Sequence, residues 1–146
     1  MKYILLIVPL FILISCTNKP IECGDLLQIY AKKIQNIEFI GCKKGKGQTV
    51  FQASYSVLGT NSEKVEAILV KKYGIGKLKF TCCGWDSSNG KNGYIESKEL
   101  KKINQNYMLE ILMYGNVERK YEKGNTYLEL DKTKVCFYVI VKLLEV

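Results

Sequence analysis

The chain has 146 residues, 47% hydrophobic and 25% charged, with only two prolines. That is the size and composition of one globular domain, and it excludes a large multidomain enzyme and a disordered tail. The absence of histidine removes Ser-His-Asp and Cys-His catalysis and every histidine-bound metal site. The formal net charge is +8, yet Arg119 is the only arginine among 22 basic residues. Bidentate recognition of phosphates or base edges is therefore almost unavailable, and nucleic acid is not an expected partner.

Lys2 precedes an apolar run over residues 4–14 that ends at Ser15 and Cys16 and is followed by Thr17, Asn18, Lys19 and Pro20. A bilayer span needs about 20 apolar residues, so this run is too short and reads as a cleavable export signal. Leu13-Ile14-Ser15-Cys16 resembles the lipobox of bacterial lipoproteins. The resemblance implies a signal peptide over residues 1–15, lipidation of Cys16 (diacylglycerol and palmitate-type chains) and a short tether over residues 16–21. One globular domain over residues 22–146 follows. Two or three acyl chains make a durable anchor. Thr17 stands where an aspartate would favour inner-membrane retention, so the expected location is the cell envelope, with the outer membrane favoured.

In chain order, Asp25 is placed to cap a helix whose apolar positions are Leu26, Leu27, Ile29, Tyr30 and Ile34. Strands over residues 37–42 and 50–58 flank a glycine- and lysine-rich turn and read as a hairpin. In the second of them Phe51, Ala53, Tyr55 and Val57 alternate with Gln52, Ser54 and Ser56, the pattern of an antiparallel sheet with one wet face. Thr60 with Glu63 forms a capping box for a second helix through Val65, Ile68, Leu69 and Tyr73, which Gly74 ends. A strand over residues 78–83 is followed by a surface loop over residues 84–93, marked by Asn89-Gly90 and Asn92-Gly93. Residues 95–103 carry no clear pattern. Long strands are expected over residues 107–114 and 135–144, with residues 126–130 pairing to the latter. The fold class is α+β: two helices packed on one face of a mostly antiparallel sheet of about five strands.

With Cys16 lipidated, five cysteines remain, so one is left over. Export makes disulfides the default. The first helix climbs about 15 Å and the following strand returns about 17 Å, which brings Cys23 and Cys42 to one end of the unit. Their bond would contribute on the order of 3 kcal/mol. Strand parity puts Leu78, Phe80 and Cys82 on the buried face and Cys83 on the other, while Val135, Phe137, Val139 and Val141 face the core and leave Cys136 outward. Cys83 therefore matches Cys136 if their strands are neighbours, with Cys82 a buried thiol. A Cys82 to Cys136 bond and a strained vicinal Cys82-Cys83 disulfide are the alternatives.

Gly41 to Thr49 lacks the Gly-Lys-Ser/Thr ending of a phosphate-binding loop, residues 86–93 have too few carboxylates for calcium, and Glu96 and Glu99 lie among lysines as a solvated surface. No metal and no cofactor are expected. The lysine- and glycine-rich stretch over residues 41–48 and the Cys82-Cys83-Gly84-Trp85 motif resemble a domain-of-unknown-function family of small exported bacterial proteins. That resemblance implies a domain and no chemistry. Trp85, followed by eight small, polar or turn-forming residues, either folds back over the sheet's edge as a satellite of the core or is the candidate binding anchor, with Lys43, Lys44 and Lys46 to steer an anionic partner. The expected function is a non-catalytic, membrane-anchored envelope lipoprotein that binds a partner or contributes to surface structure. An envelope protein, a host protein and an anionic surface are the partner classes considered. An inhibitor of a hydrolase, or an enzyme using carboxylates or a cysteine, is the alternative.

Overall fold

The structure is a computed structural model that describes residues 21–146; the lipobox and Cys16 lie outside the described residues. Strands β1 (Glu38–Lys44) and β2 (Thr49–Val57) form the expected hairpin, with Cys42 opposite Ala53 and Lys44 opposite Phe51. Strand β9 (Phe137–Glu145) lies beside β2, and β6 (Tyr107–Asn116) lies beside β9 along its whole length. Two short strands, β3 (Leu78–Thr81) and β4 (Gly84–Ser87), form a hairpin at the far edge, and β5 (Gly93–Ile95) pairs with the other end of β6. The order is β1-β2-β9-β6-β4-β3, every pair antiparallel, with β5 a seventh strand on β6.

Alternation sets which face is covered. Ala53, Tyr55 and Val57 of β2, Leu109, Ile111 and Met113 of β6, and Phe137, Val139, Val141 and Leu143 of β9 are all buried on one side. Against them pack helices α1 (Leu26–Tyr30), α2 (Ser62–Tyr73) and α3 (Lys98–Ile103), which contribute Leu26, Leu27, Val65, Leu69 and Leu100 to one continuous hydrophobic cluster. Burial of these side chains is the main driving force for the fold. No helix among the described residues is long and apolar enough to cross a membrane.

The sheet-and-helix class is as expected, with more strands than five and a third helix. Residues 95–103 contain α3, capped by the Ser97 hydroxyl accepting from Leu100 N–H. Residues 84–93 are not a loop: they hold β4, a 3-10 turn over Ser88–Gly90 and the start of β5. The Thr60 capping box does not form. A 3-10 turn over Gly59–Asn61 precedes α2, and the Ser62 hydroxyl donates to Gly59 C=O at 2.7 Å. Residues 126–130 do not pair with β9. Strand β8 (Asn125–Leu128) instead forms a separate exposed hairpin with β7 (Arg119–Glu122), turning at Lys123 and Gly124, both at positive φ.

One polar contact joins the first helix to the sheet. Asp25, the N-cap of α1, accepts from Gln28 N–H at 3.0 Å and from the Tyr55 hydroxyl at 2.8 Å, and that hydroxyl accepts from Leu27 N–H at 3.1 Å. Tyr55 is 1% exposed. Burial, with the Asp25 carboxylate adding to it, holds its phenol well above the ordinary tyrosine range, so the fold contains it neutral. Tyr55→Phe leaves a buried N–H and a capping carboxylate short of a partner and is expected to cost about 1–3 kcal/mol in urea unfolding at neutral pH. The contribution is complete below the ordinary tyrosine value of about 10 and falls as pH rises above it. The gap between wild type and Tyr55→Phe should therefore narrow in unfolding curves taken through the alkaline range.

Candidate functional site

The β3-β4 hairpin has a loop of only two residues, Cys82 and Cys83, because Thr81 pairs with Gly84. Cys82 has φ +56°, and Cys83 N–H donates to Thr81 C=O at 2.7 Å. A hydrogen bond across one residue at positive φ is the strained form of γ-turn. Cysteine has no special tolerance for that region, so the conformation costs about 1–3 kcal/mol. Gly84 is required immediately after it, since a Cβ there would lie 2.6 Å from Gly115 C=O. This close approach, with Val117 N–H donating to Cys83 C=O at 3.2 Å, clamps the turn to the end of β6.

Strand β4 stays on β6 for only two pairs, Gly84 with Asn116 and Trp85 with Gly115. Between the two strands lies an open cleft of about 440 Å³, lined among others by Cys82, Cys83, Asp86, Leu112, Tyr114 and Asn116. The Tyr114 ring stacks on Tyr138 at 5.5 Å. The neighbouring Cys136 thiol, which donates to Phe137 C=O at 3.9 Å, is the first cause of the Tyr138 phenol lying above its ordinary value. Cys82 is also shifted upward, first by the neighbouring Cys83 thiol, while the Arg119 guanidinium acts against the shift.

Trp85 belongs to β4 and not to a loop. Its ring meets Phe80 edge-on at 5.7 Å, packs against the hydrophobic cluster and is covered by Lys132, whose Nζ lies 4.6 Å from the ring centroid. The same ammonium bonds Glu66 Oε2 at 3.0 Å, and Glu66 Oε1 accepts from Leu78 N–H at 2.7 Å. The indole N–H is buried without a partner. Trp85 is thus a satellite of the core, roofed by an ion pair, as the first of its two sequence readings has it, and the exposed-anchor reading is corrected.

Lys43, Lys44 and Lys46 are exposed on β1 and its turn. They do not join Trp85 in one surface. Trp85 lies in the row Gly115, Phe137 and Val57, whereas Lys44 lies beside Phe51, six residues and about 20 Å away along β2. The lysine turn is closed by Gly45 N–H donating to Val50 C=O at 2.9 Å, a hairpin turn and not a phosphate loop.

Cys23 and Cys42 are bonded, with Cα atoms 5.6 Å apart, so the staple inferred from element lengths is present. Cys82, Cys83 and Cys136 are free and exposed. The expected Cys83 to Cys136 match fails because β6 intervenes: Gly84 pairs with Asn116, and Gly115 pairs in turn with Phe137. Two strand spacings amount to about 10 Å, beyond the roughly 7 Å that a disulfide spans between Cα atoms. Cys82 is not buried, since the strand turns one residue earlier than its apolar alternation implies. Sequence reasoning also missed Tyr114, Tyr138 and Lys132. Outward parity on β6 and β9 could have paired the tyrosines, but nothing local to Lys132 points to Trp85.

A family model described as a domain of unknown function, DUF4952, matches residues 13–85. The matched span closes on Trp85 and includes both the staple and the Cys82-Cys83-Gly84-Trp85 segment. No curated protein and no solved structure matches the chain.

Trp85→Ala is expected to lose about 3 kcal/mol in urea unfolding, as a core truncation does. Trp85→Phe keeps a ring against Phe80, removes the unpartnered donor and should cost about 1 kcal/mol. Equal, small effects for both would show that the ring is not packed.

Proposed function

The chain belongs to the DUF4952 family, and we propose that it is a lipid-anchored, non-catalytic protein of the bacterial cell envelope whose stapled domain binds a partner or contributes to surface structure. The reading starts from Lys2, the apolar run over residues 4–14 and the Leu13-Ile14-Ser15-Cys16 signature. The observation that carries it furthest is the Cys23–Cys42 disulfide, because such bonds persist in oxidising, exported compartments and are rare in the reducing cytosol. A chain without histidine also lacks the commonest acid-base group for turnover.

The staple gives the anchor a direction. Cys23 follows Cys16 by seven positions, a reach of at most about 25 Å, and the disulfide fixes the end of that tether to β1 two residues before Lys44. Lys43, Lys44 and Lys46 are exposed, have no carboxylate partner among the described residues and are gathered within four positions at one turn. Unpaired lysines close to an anionic headgroup layer are worth about 1 kcal/mol each. In this reading the lysine turn faces the membrane and the Cys82–Trp85 end points away from it.

Metabolic palmitate labelling of the full chain tests the anchor. Label is expected on the wild type and absent from Cys16→Ser, with the variant recovered in the soluble envelope fraction or retained unprocessed. Label that persists in Cys16→Ser contradicts the proposal.

A further inference from the structure

We propose that Cys82 and Cys83 form a thiol–disulfide exchange site that reacts with the disulfide of a low-molecular-weight thiol and closes into a vicinal disulfide. This goes beyond the anchor reading and does not depend on it. Elimination is the first support. Cys23 and Cys42 are already joined, and β6 separates Cys136 from the turn, so within the described residues the partner left to each of the two thiols is the other. Both are exposed, and they are consecutive residues that make up the whole of a two-residue turn.

The second support is conformational. A two-residue hairpin turn with its first residue at positive φ is ordinarily given to glycine or asparagine. Here it holds a cysteine at φ +56° followed by a second cysteine. Backbone strain of this kind is characteristic of sites where geometry serves a reaction. The third support is the cleft of about 440 Å³ alongside, with Leu112 and Tyr114 as apolar wall and Asp86 and Asn116 as polar groups. That volume suits a small ligand, for which pockets run from about 300 to 1,000 Å³.

The chemistry balances as a two-step exchange. The neighbouring Cys83 thiol raises Cys82 above its ordinary value, so Cys82 is taken as the resolving thiol and Cys83 attacks first. The Cys83 thiolate attacks one sulfur of the incoming disulfide; that S–S bond breaks, and one thiol leaves carrying the proton Cys83 gave up. The Cys82 thiolate then attacks the Cys83 sulfur of the mixed disulfide, the second thiol leaves with the proton from Cys82, and the Cys82–Cys83 bond forms. Two electrons and two protons pass from the dithiol to the small disulfide. Adjacent Cα atoms are about 3.8 Å apart across a trans peptide, short of the roughly 4.4–6.8 Å of an ordinary disulfide. The product is consequently strained, and strained, exposed disulfides are the easily reduced, exchanging ones.

The test treats the full chain carrying Cys136→Ser with oxidised glutathione and follows the tryptic peptide over residues 80–91, which contains no cysteines other than Cys82 and Cys83. The proposal predicts loss of two hydrogens from that peptide, release of two glutathione thiols per closed turn, and reopening in reduced glutathione under conditions that leave Cys23–Cys42 intact. Adding Cys82→Ser should stop the exchange halfway, with one glutathione held on Cys83. A wild-type turn that accumulates stable glutathione adducts on either cysteine, or that remains fully alkylatable after the oxidant, overturns the proposal.

Discussion

The position of β6 between β9 and β4 is the constraint on which most of the remaining structure depends. One edge of β6 is fully taken up by β9, from Tyr107 opposite Glu145 to Gly115 opposite Phe137. Its other edge is shared by two short strands, β5 over residues 109–111 and β4 over residues 115–116. The stretch left between them is where the cleft opens beside Leu112 and Tyr114. The same arrangement sets Tyr114 on Tyr138 and keeps Cys83 away from Cys136. Two glycines make it sterically feasible: a Cβ on Gly115 would meet the Phe137 ring at 2.6 Å, and one on Gly84 would meet Gly115 C=O.

The two ends of the sheet differ in how their charges are used. Above Trp85, Lys132 lies between the indole ring and Glu66, and beside the exposed hairpin Glu129 is held below its ordinary value, first by its hydrogen bond with Lys120. At the β1-β2 turn Lys43, Lys44 and Lys46 are left facing solvent. The disulfide adds chain connectivity to that contrast, because it ties the segment before α1 to the lysine-bearing strand. Tyr55 and Asp25 then lock α1 onto β2 just beyond the staple, so the start of the domain is held by one covalent and one hydrogen-bonded link to the same hairpin.

What could be read in the sequence was whatever is encoded over a short range. The alternation of β2 and β9 and the Gly74 stop of α2 follow from periods of two and from a single left-handed residue, at φ +77°. The Cys23–Cys42 bond followed from the lengths of one helix and one strand, even though α1 ends at Tyr30 and the chain reaches Ile34 without helix. Residues 84–95 defeated the same approach because their strands are three and four residues long and are interleaved with turn dipeptides. Periodicity has no room to register in such segments. The candidate site was legible as a motif but not as a geometry. Cys82-Cys83-Gly84-Trp85 stood out, yet whether Cys83 could reach Cys136, and whether Trp85 was covered, depended on β6 and Lys132, residues about 30 and 50 positions away whose placement is a property of the whole sheet.

Cross-strand proton contacts measured by NMR on the full chain test this strand order most directly, since an antiparallel sheet brings partner backbones within about 5 Å. The account predicts backbone contacts from Gly84 to Asn116 on one side of β6 and from Gly115 to Phe137 on the other, with no backbone-to-backbone contacts between residues 83–85 and residues 135–137. Backbone contacts linking those two segments to each other would put β4 directly against β9, and would contradict both the separation of the thiols and the cleft beside them.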